Sequence, residues 1–405
     1  MDASGAGGRP YIPTSAMICR LFLAFVTLLA TGFCAAQPAY VPASDAQVLQ
    51  RVPPASDPAI RRMAALRARI ASDPANVRLA DELARTYVDF GRKVGDAHYA
   101  GYAEAVIAPW TSRADAPAVV LVTQATLLQY RHEFAKARSL LVKALAREPG
   151  LAQASLSLAT LDMVQGDYAG AASHCSEVGR HAGVALGLAC AGSLRLYTGQ
   201  AAQGMALLAR IGGEGGRAQA SWIEGLLAEG AERLGRFDEA EAHHRKALAL
   251  APGDNFLLVA YADFLLDRGR PREVLALLAD YSDSDTVYLR LALAHAALRT
   301  PEAARLRWVM TARLAAYAQR GGELFGREEA RFLLELANDP PAALDAALRN
   351  FDNQREPADA RIVLEAALAA RRPEAAAGVV EFLARSKLED PRIEALVRAV
   401  KGAAS

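Results

Sequence analysis

From Ala118 onward the chain repeats itself with a period of about 34 residues. Ala118–Leu151 aligns with Ala152–Ala185, and Ser221–Asp254 aligns with Asn255–Tyr288. Phe134, Ala137, Ala144 and Pro149 of the first segment fall at the offsets of Phe237, Ala240, Ala247 and Pro252 in the third. The second segment keeps Gly166, Tyr168 and Ala171, and the fourth keeps Ala262 and Gly269. A unit this short cannot bury its own apolar face, so such units must stack on one another. Alanine runs throughout and an aromatic content of only 7% favour close-packed helices over sheet.

Each unit reads as two antiparallel helices. Small residues stand where the backbones approach most closely, Ala125 or Ala159 opposite Ala137 or Ala171. Gly166, Gly235 and Gly269 follow the first helix, where a left-handed turn residue carries no Cβ penalty. Pro149 and Pro252 close the second helix. Unit starts are expected near Val77, Ala118, Ala152, Ala185, Ser221, Asn255, Asp285, Leu324 and Pro357. A leading helix near Ala59–Ala71 and a closing helix over Pro391–Lys401 complete the array.

These residues resemble the tetratricopeptide repeat (TPR) superfamily over nearly the whole chain after its leader. The resemblance implies an all-α, right-handed TPR-like solenoid of about eight to nine helix pairs, with no β-sheet. Three places break the period: RKVGDAH after Gly91, which is expected to lengthen that turn; the loop IGGEGGR at Ile211–Arg217; and a helix after Pro301 running toward Arg320. Gly95, Asp96, Tyr99, Gly101, Tyr102, Ala103, Pro109 and Trp110, with REEARF at Arg327–Phe332 and NQREPADAR at Asn353–Arg361, look like a group of exported bacterial TPR proteins. That likeness carries no residue-level activity with it. As plain structure, Pro357 suits a first helical turn with Glu356 at its positive end.

Ahead of the repeats, LFLAFVTLLATGF (Leu21 to Phe33) follows Arg20 and precedes small residues. It is too short for a spanning helix, which needs about 20 apolar residues, and has the order of a secretory signal. Residues 1–36 are expected to be removed, with Met17 a possible true start. Phe33 before Cys34 argues against a lipoprotein. Residues 37–57 read as a Pro/Ala/Ser-rich arm, and 58–405 as the helical-repeat domain. The expected location is periplasmic, or the inner membrane if the signal stays uncleaved, with no stable membrane span after cleavage. Lys and Arg total 46 against 45 for Asp and Glu, so there is no basic footprint for nucleic acid.

The chain lacks a metalloprotease helix, a nucleophile elbow, a phosphate-binding glycine loop and paired-cysteine zinc spacing. His174, Cys175 and His181 form its one His/Cys cluster, so a metal-handling accessory protein is one alternative reading. An envelope enzyme with a composite site at Glu229, Arg233 and Asp263 is another. The leading expectation is a non-catalytic exported scaffold or adaptor without cofactor, binding a protein or peptide during envelope complex assembly.

In this architecture the first helices line the concave face. Thr126, Gln129, Tyr130, Gln153, Thr160, Met163, Ser193, Tyr197, Trp222, Glu229, Arg233, Phe256, Asp263 and Asp267 are expected to point into that groove. It would be polar and aromatic at first and more acidic near Asp263 and Asp267. The carboxylate clamp of some chaperone-binding members is missing, because Val122, Thr126, Tyr130, Leu156, Thr160 and Val164 occupy its positions. Cys175 and Cys190 lie equally far from the turn at Ala182–Gly183, which would set their sulfurs at one height on facing helices. They are candidates for a disulfide, with two buried free thiols as the alternative.

Overall fold

The computed structural model describes residues 54–211, 216–281, 284–319 and 326–404, together with Ser44 and Ala46. Two compact units divide it, Met1–Pro54 and Ala55–Ser405. Of the first unit only Ser44, Ala46 and Pro54 are described, all exposed, so the expected signal and most of the expected arm lie outside the described residues. No strand occurs among the described residues, and none of their helices is long and apolar enough to cross a membrane.

Among its described residues the second unit is a run of nine antiparallel helix pairs between two single helices. Helix α1 (Pro58–Ser72) leads. The pairs are α2 (Val77–Val94) with α3 (His98–Thr111), α4 (Ala118–Tyr130) with α5 (Phe134–Arg147), and α6 (Ala152–Gln165) with α7 (Tyr168–Ala182). There follow α8 (Val184–Leu196) with α9 (Ala201–Ala209), α10 (Arg217–Arg233) with α11 (Phe237–Leu250), and α12 (Asn255–Asp267) with α13 (Pro271–Leu277). The last three are α14 (Asp285–Ala297) with α15 (Glu302–Gln319), α16 (Gly326–Glu335) with α17 (Pro340–Asn353), and α18 (Pro357–Ala369) with α19 (Ala377–Ser386). A short 3₁₀ turn (Pro373–Ala376) precedes α19, and α20 (Pro391–Ala404) closes the array. The fold is an all-α, TPR-like solenoid.

The small residues sit where the pairs are tightest. Ala125, Ala137, Ala159, Ala171, Ala228 and Ala240 are fully buried. Between α8 and α9 the same two positions are glycines, and a Cβ on Gly204 would stand 2.7 Å from the Gly192 carbonyl oxygen. The turn inside eight of the nine pairs uses one left-handed residue at a constant repeat position. It is Gly166, Gly199, Gly235 or Gly269 in four pairs, and His132, Arg299, Asn338 or Arg371 in four others.

The first pair departs from expectation. Gly91 does not end its helix: α2 continues through RKV, and the left-handed cap is Gly95 at φ 71°. Gly91 is needed for another reason, because a Cβ there would lie 2.7 Å from that of Tyr99 on α3. Thus the extra residues lengthen the helix by a turn and the loop stays short. Helix α10 also begins before Ser221, at Arg217, so Arg217 is helical where a loop was expected; residues 212–215 and Arg320 lie outside the described residues.

Cys175 on α7 and Cys190 on α8 are joined by a disulfide with Cα atoms 5.4 Å apart. The helices can come this close because Gly179 faces Gly187, whose Cβ, were there one, would stand 2.6 Å from the Gly179 Cα.

Candidate functional site

The first helix of each pair presents one stripe of residues, spaced so that they share a face. On α10 the stripe runs Trp222, Glu229, Arg233, and on α12 it runs Phe256, Asp263, Asp267. Its two ends have different fates. At the N-terminal end Trp222 and Phe256 are exposed, at 39% and 63%, an unusual state for large aromatics. Gln153 and Thr160 on α6 are exposed as well. The hydroxyls of Thr126 and Thr160 donate to the carbonyls of Val122 (3.0 Å) and Leu156 (3.1 Å), as helix-surface threonines do.

The C-terminal end of the stripe is covered by the chain's own last repeats. Asp263 accepts from Arg290 (2.7 Å) and from Arg331 (2.6 Å). Burial works to raise its pKa, but the two guanidinium groups outweigh it and hold the carboxyl well below its ordinary value. Asp267 takes Arg361 in a bidentate pair, 2.6 and 2.7 Å, and Arg392 at 2.5 Å. Arg392 also pairs with Glu232 at 3.3 Å.

The turn edges are engaged too. The amide of Arg355 donates to the Val164 carbonyl (2.7 Å), and Asn353 Nδ2 donates to that of His132 (3.0 Å). The Ala201 amide, at the start of α9, donates to Glu389 (2.9 Å). Phe382 packs beside Tyr168 with ring centroids 6.2 Å apart, and against Gly166.

Tyr197 and Arg233 lie within this covered region. The Arg233 guanidinium stands 4.9 Å from the Tyr197 ring centroid, donates to the Leu196 carbonyl at 3.2 Å and reaches Glu229 at 3.4 Å. Burial pushes the Tyr197 phenol well above its ordinary pKa, raises Glu229, and lifts Tyr168 to about 12. Gln129 and Tyr130 are half-buried, and burial raises the Tyr130 phenol. Of the expected groove residues, only Gln153, Thr160, Trp222 and Phe256 are therefore exposed. The stretches REEARF and NQREPADAR supply Arg331 and Arg361 to the covering side. Their partners lie far away in sequence, 94 residues in the case of Arg361 and Asp267, so no local spacing announces the contact.

The histidine–cysteine cluster is not a metal site. Cys175 is spent in the disulfide, His174 Nδ1 bonds Asp162 at 2.7 Å, and His181 faces Glu177 at 3.6 Å. No group able to hold a metal is assembled among the described residues. Nor does the proposed enzymatic trio share partners. Glu229 pairs with Arg233, whereas Asp263 is taken by Arg290 and Arg331. Near the chain start, Arg62, Glu82, Arg85, Asp89, Phe90 and Lys93 line a hollow of about 660 Å³ between α1 and α2 that sequence reasoning did not pick out.

No protein-family model and no curated protein matches this chain. Several solved structures align with it. A chain of the APC/C hetero-tetramer Cut9–Hcn1 is 14% identical, aligned over 84% of this chain and 52% of that one, with a TM-score of 0.42; this chain spans about half its length. A tetratricopeptide repeat protein from Parabacteroides merdae is 16% identical over 57% of this chain and 91% of its own, with a TM-score of 0.37. The P58(IPK) TPR domain is 12% identical over 85% and 93%, with a TM-score of 0.21. The chain resembles TPR proteins in fold, and its helix pairs and turn register carry that statement.

Proposed function

We propose that this chain is a non-catalytic scaffold or adaptor that binds a protein or peptide along the uncovered ends of its inner helices. The observation that carries the reading is the pair Trp222 and Phe256. They hold the same repeat position on neighbouring inner helices, and both are exposed. Inner helices of adjacent repeats pack roughly 10 Å apart, so the two rings form successive anchors for one extended segment. Aromatic side chains suit that task because they bury much area with few rotatable bonds. Gln153 and Thr160 extend the same face with hydrogen-bonding groups.

The leader composition adds location to the proposal: an exported protein working in the cell envelope. Trp222→Ala and Phe256→Ala should each weaken partner capture by roughly 1–2 kcal/mol while helical content stays unchanged. The measurement is cross-linking and capture from envelope extract, with Val142→Ala, an exposed residue on an outer helix, as the control. Equal losses from the control would defeat the assignment. N-terminal sequencing of the chain recovered from cell fractions tests export.

A further inference from the structure

The stripe on α12 joins an uncovered aromatic, Phe256, to a covered carboxylate, Asp267, three helical turns and roughly 16 Å further on. We propose that α17 to α20 (Pro340–Ala404) are an autoinhibitory occupant of the inner face. In this view they stand in for a partner that sets an apolar residue on Trp222 and Phe256 and an arginine on Asp267. This rests on the partner-surface reading above and adds the chemistry of the partner to it.

Three observations carry it. First, the contact is mainly polar: Arg361 and Arg392 on Asp267, Arg392 on Glu232, Glu389 on the Ala201 amide, and two bonds to turn carbonyls. Its main apolar element is Phe382 against Tyr168. Second, the covering repeats own their core. Leu344, Ile362, Val363, Leu383 and Val400 pack together, with Ala330, Leu333 and Leu334 of the adjoining α16, and Tyr168 is the one residue from the earlier pairs against that cluster. Lifting these repeats off the inner face with the α16 packing kept therefore exposes little apolar surface. Third, the recognition is specific to arginine. Asp267 receives a two-pronged guanidinium and a second cation at the C-terminal residue of α12, where the helix dipole adds negative potential.

The test uses the full chain, hydrogen exchange, and a labelled arginine-rich peptide beside its lysine counterpart. In Arg361→Ala/Arg392→Ala, exchange over 340–404 should quicken while residues 118–250 stay protected. The arginine peptide should bind about tenfold more tightly, because the binding-competent population rises. Asp267→Asn added to that background should abolish the gain, and the lysine peptide should show less of it. Exchange that quickens everywhere, no gain in binding, or a gain that survives Asp267→Asn overturns the proposal. Should the double variant fail to fold, salt replaces it. Going from about 0.05 M to about 1 M should selectively speed exchange over 340–404 in the unaltered chain, and unchanged protection overturns the proposal equally. Loss of the natural partner in Trp222→Ala with no arginine effect sinks the inhibitory contact alone. An arginine effect without that loss sinks the partner-surface reading alone.

Discussion

Single residues decide the turns of this molecule. The left-handed position inside each pair tolerates His132, Arg299, Asn338 and Arg371, yet each L-residue there bears strain that glycine would not. Arg299 is exposed, so Arg299→Gly should raise stability by roughly 0.5–1 kcal/mol after the entropy of the unfolded glycine is counted; chemical denaturation measures it. Four of these turns were legible because glycine marks them, and the other four only because the period places them. Gly91 was misread for the same reason: it stands at the marked offset but serves close approach to Tyr99. Asp359 is a second decisive residue. It accepts from Asn350 Nδ2 at 2.8 Å and from the Glu356 amide at 3.0 Å, within a capping box at the start of α18. Burial pushes its carboxyl up to about 7, against the help of Arg327. A raised carboxyl binds its proton more tightly in the folded state, so stability falls as pH rises from about 4 to about 7 and then levels. Asp359→Asn should flatten that slope, as urea midpoints taken across the range would show.

At the scale of elements, the helix starts could be read from sequence because each is set locally, by a turn residue, a small residue and a proline. The observed starts of α2, α4, α6, α12, α14 and α18 coincide with the expected Val77, Ala118, Ala152, Asn255, Asp285 and Pro357. Helices α7 and α8, neighbours from successive pairs, are held together by the disulfide and by the contact of Gly179 with Gly187. The bridge closes a loop with a sequence separation of 15. Its reduction should cost roughly 3 kcal/mol in the chain-entropy account. Thermal melts with and without reductant measure this, and an unchanged midpoint would show that packing alone holds the pair.

Across the whole molecule, the covering of the inner face was not legible, because its contacts join residues without any shared local pattern. Arg361, Arg392 and Arg331 look like ordinary solvated charges until the fold brings Asp267 and Asp263 to them. The depressed carboxyl of Asp263 gives this closure a pH signature. Its contribution is present above the ordinary carboxylate value of 3.8 and is lost as pH falls below it toward the folded value. Acidification below about pH 4 should therefore weaken the inner contacts, with hydrogen exchange along α12 and α16 as the readout. The bond from Asn353 to His132 spans 221 residues and that from Ala201 to Glu389 spans 188. An open solenoid folds by neighbour-to-neighbour propagation and is fast because its contacts are local. Here the stacked pairs can form in that way, but the bonds between early and late repeats must wait for both to be in place. Refolding should accordingly show a rapid gain of helix followed by a slower step in which Asp267 meets its arginines. Unfolding then reverses that order, the covering repeats 340–404 coming away before the stacked pairs beneath them.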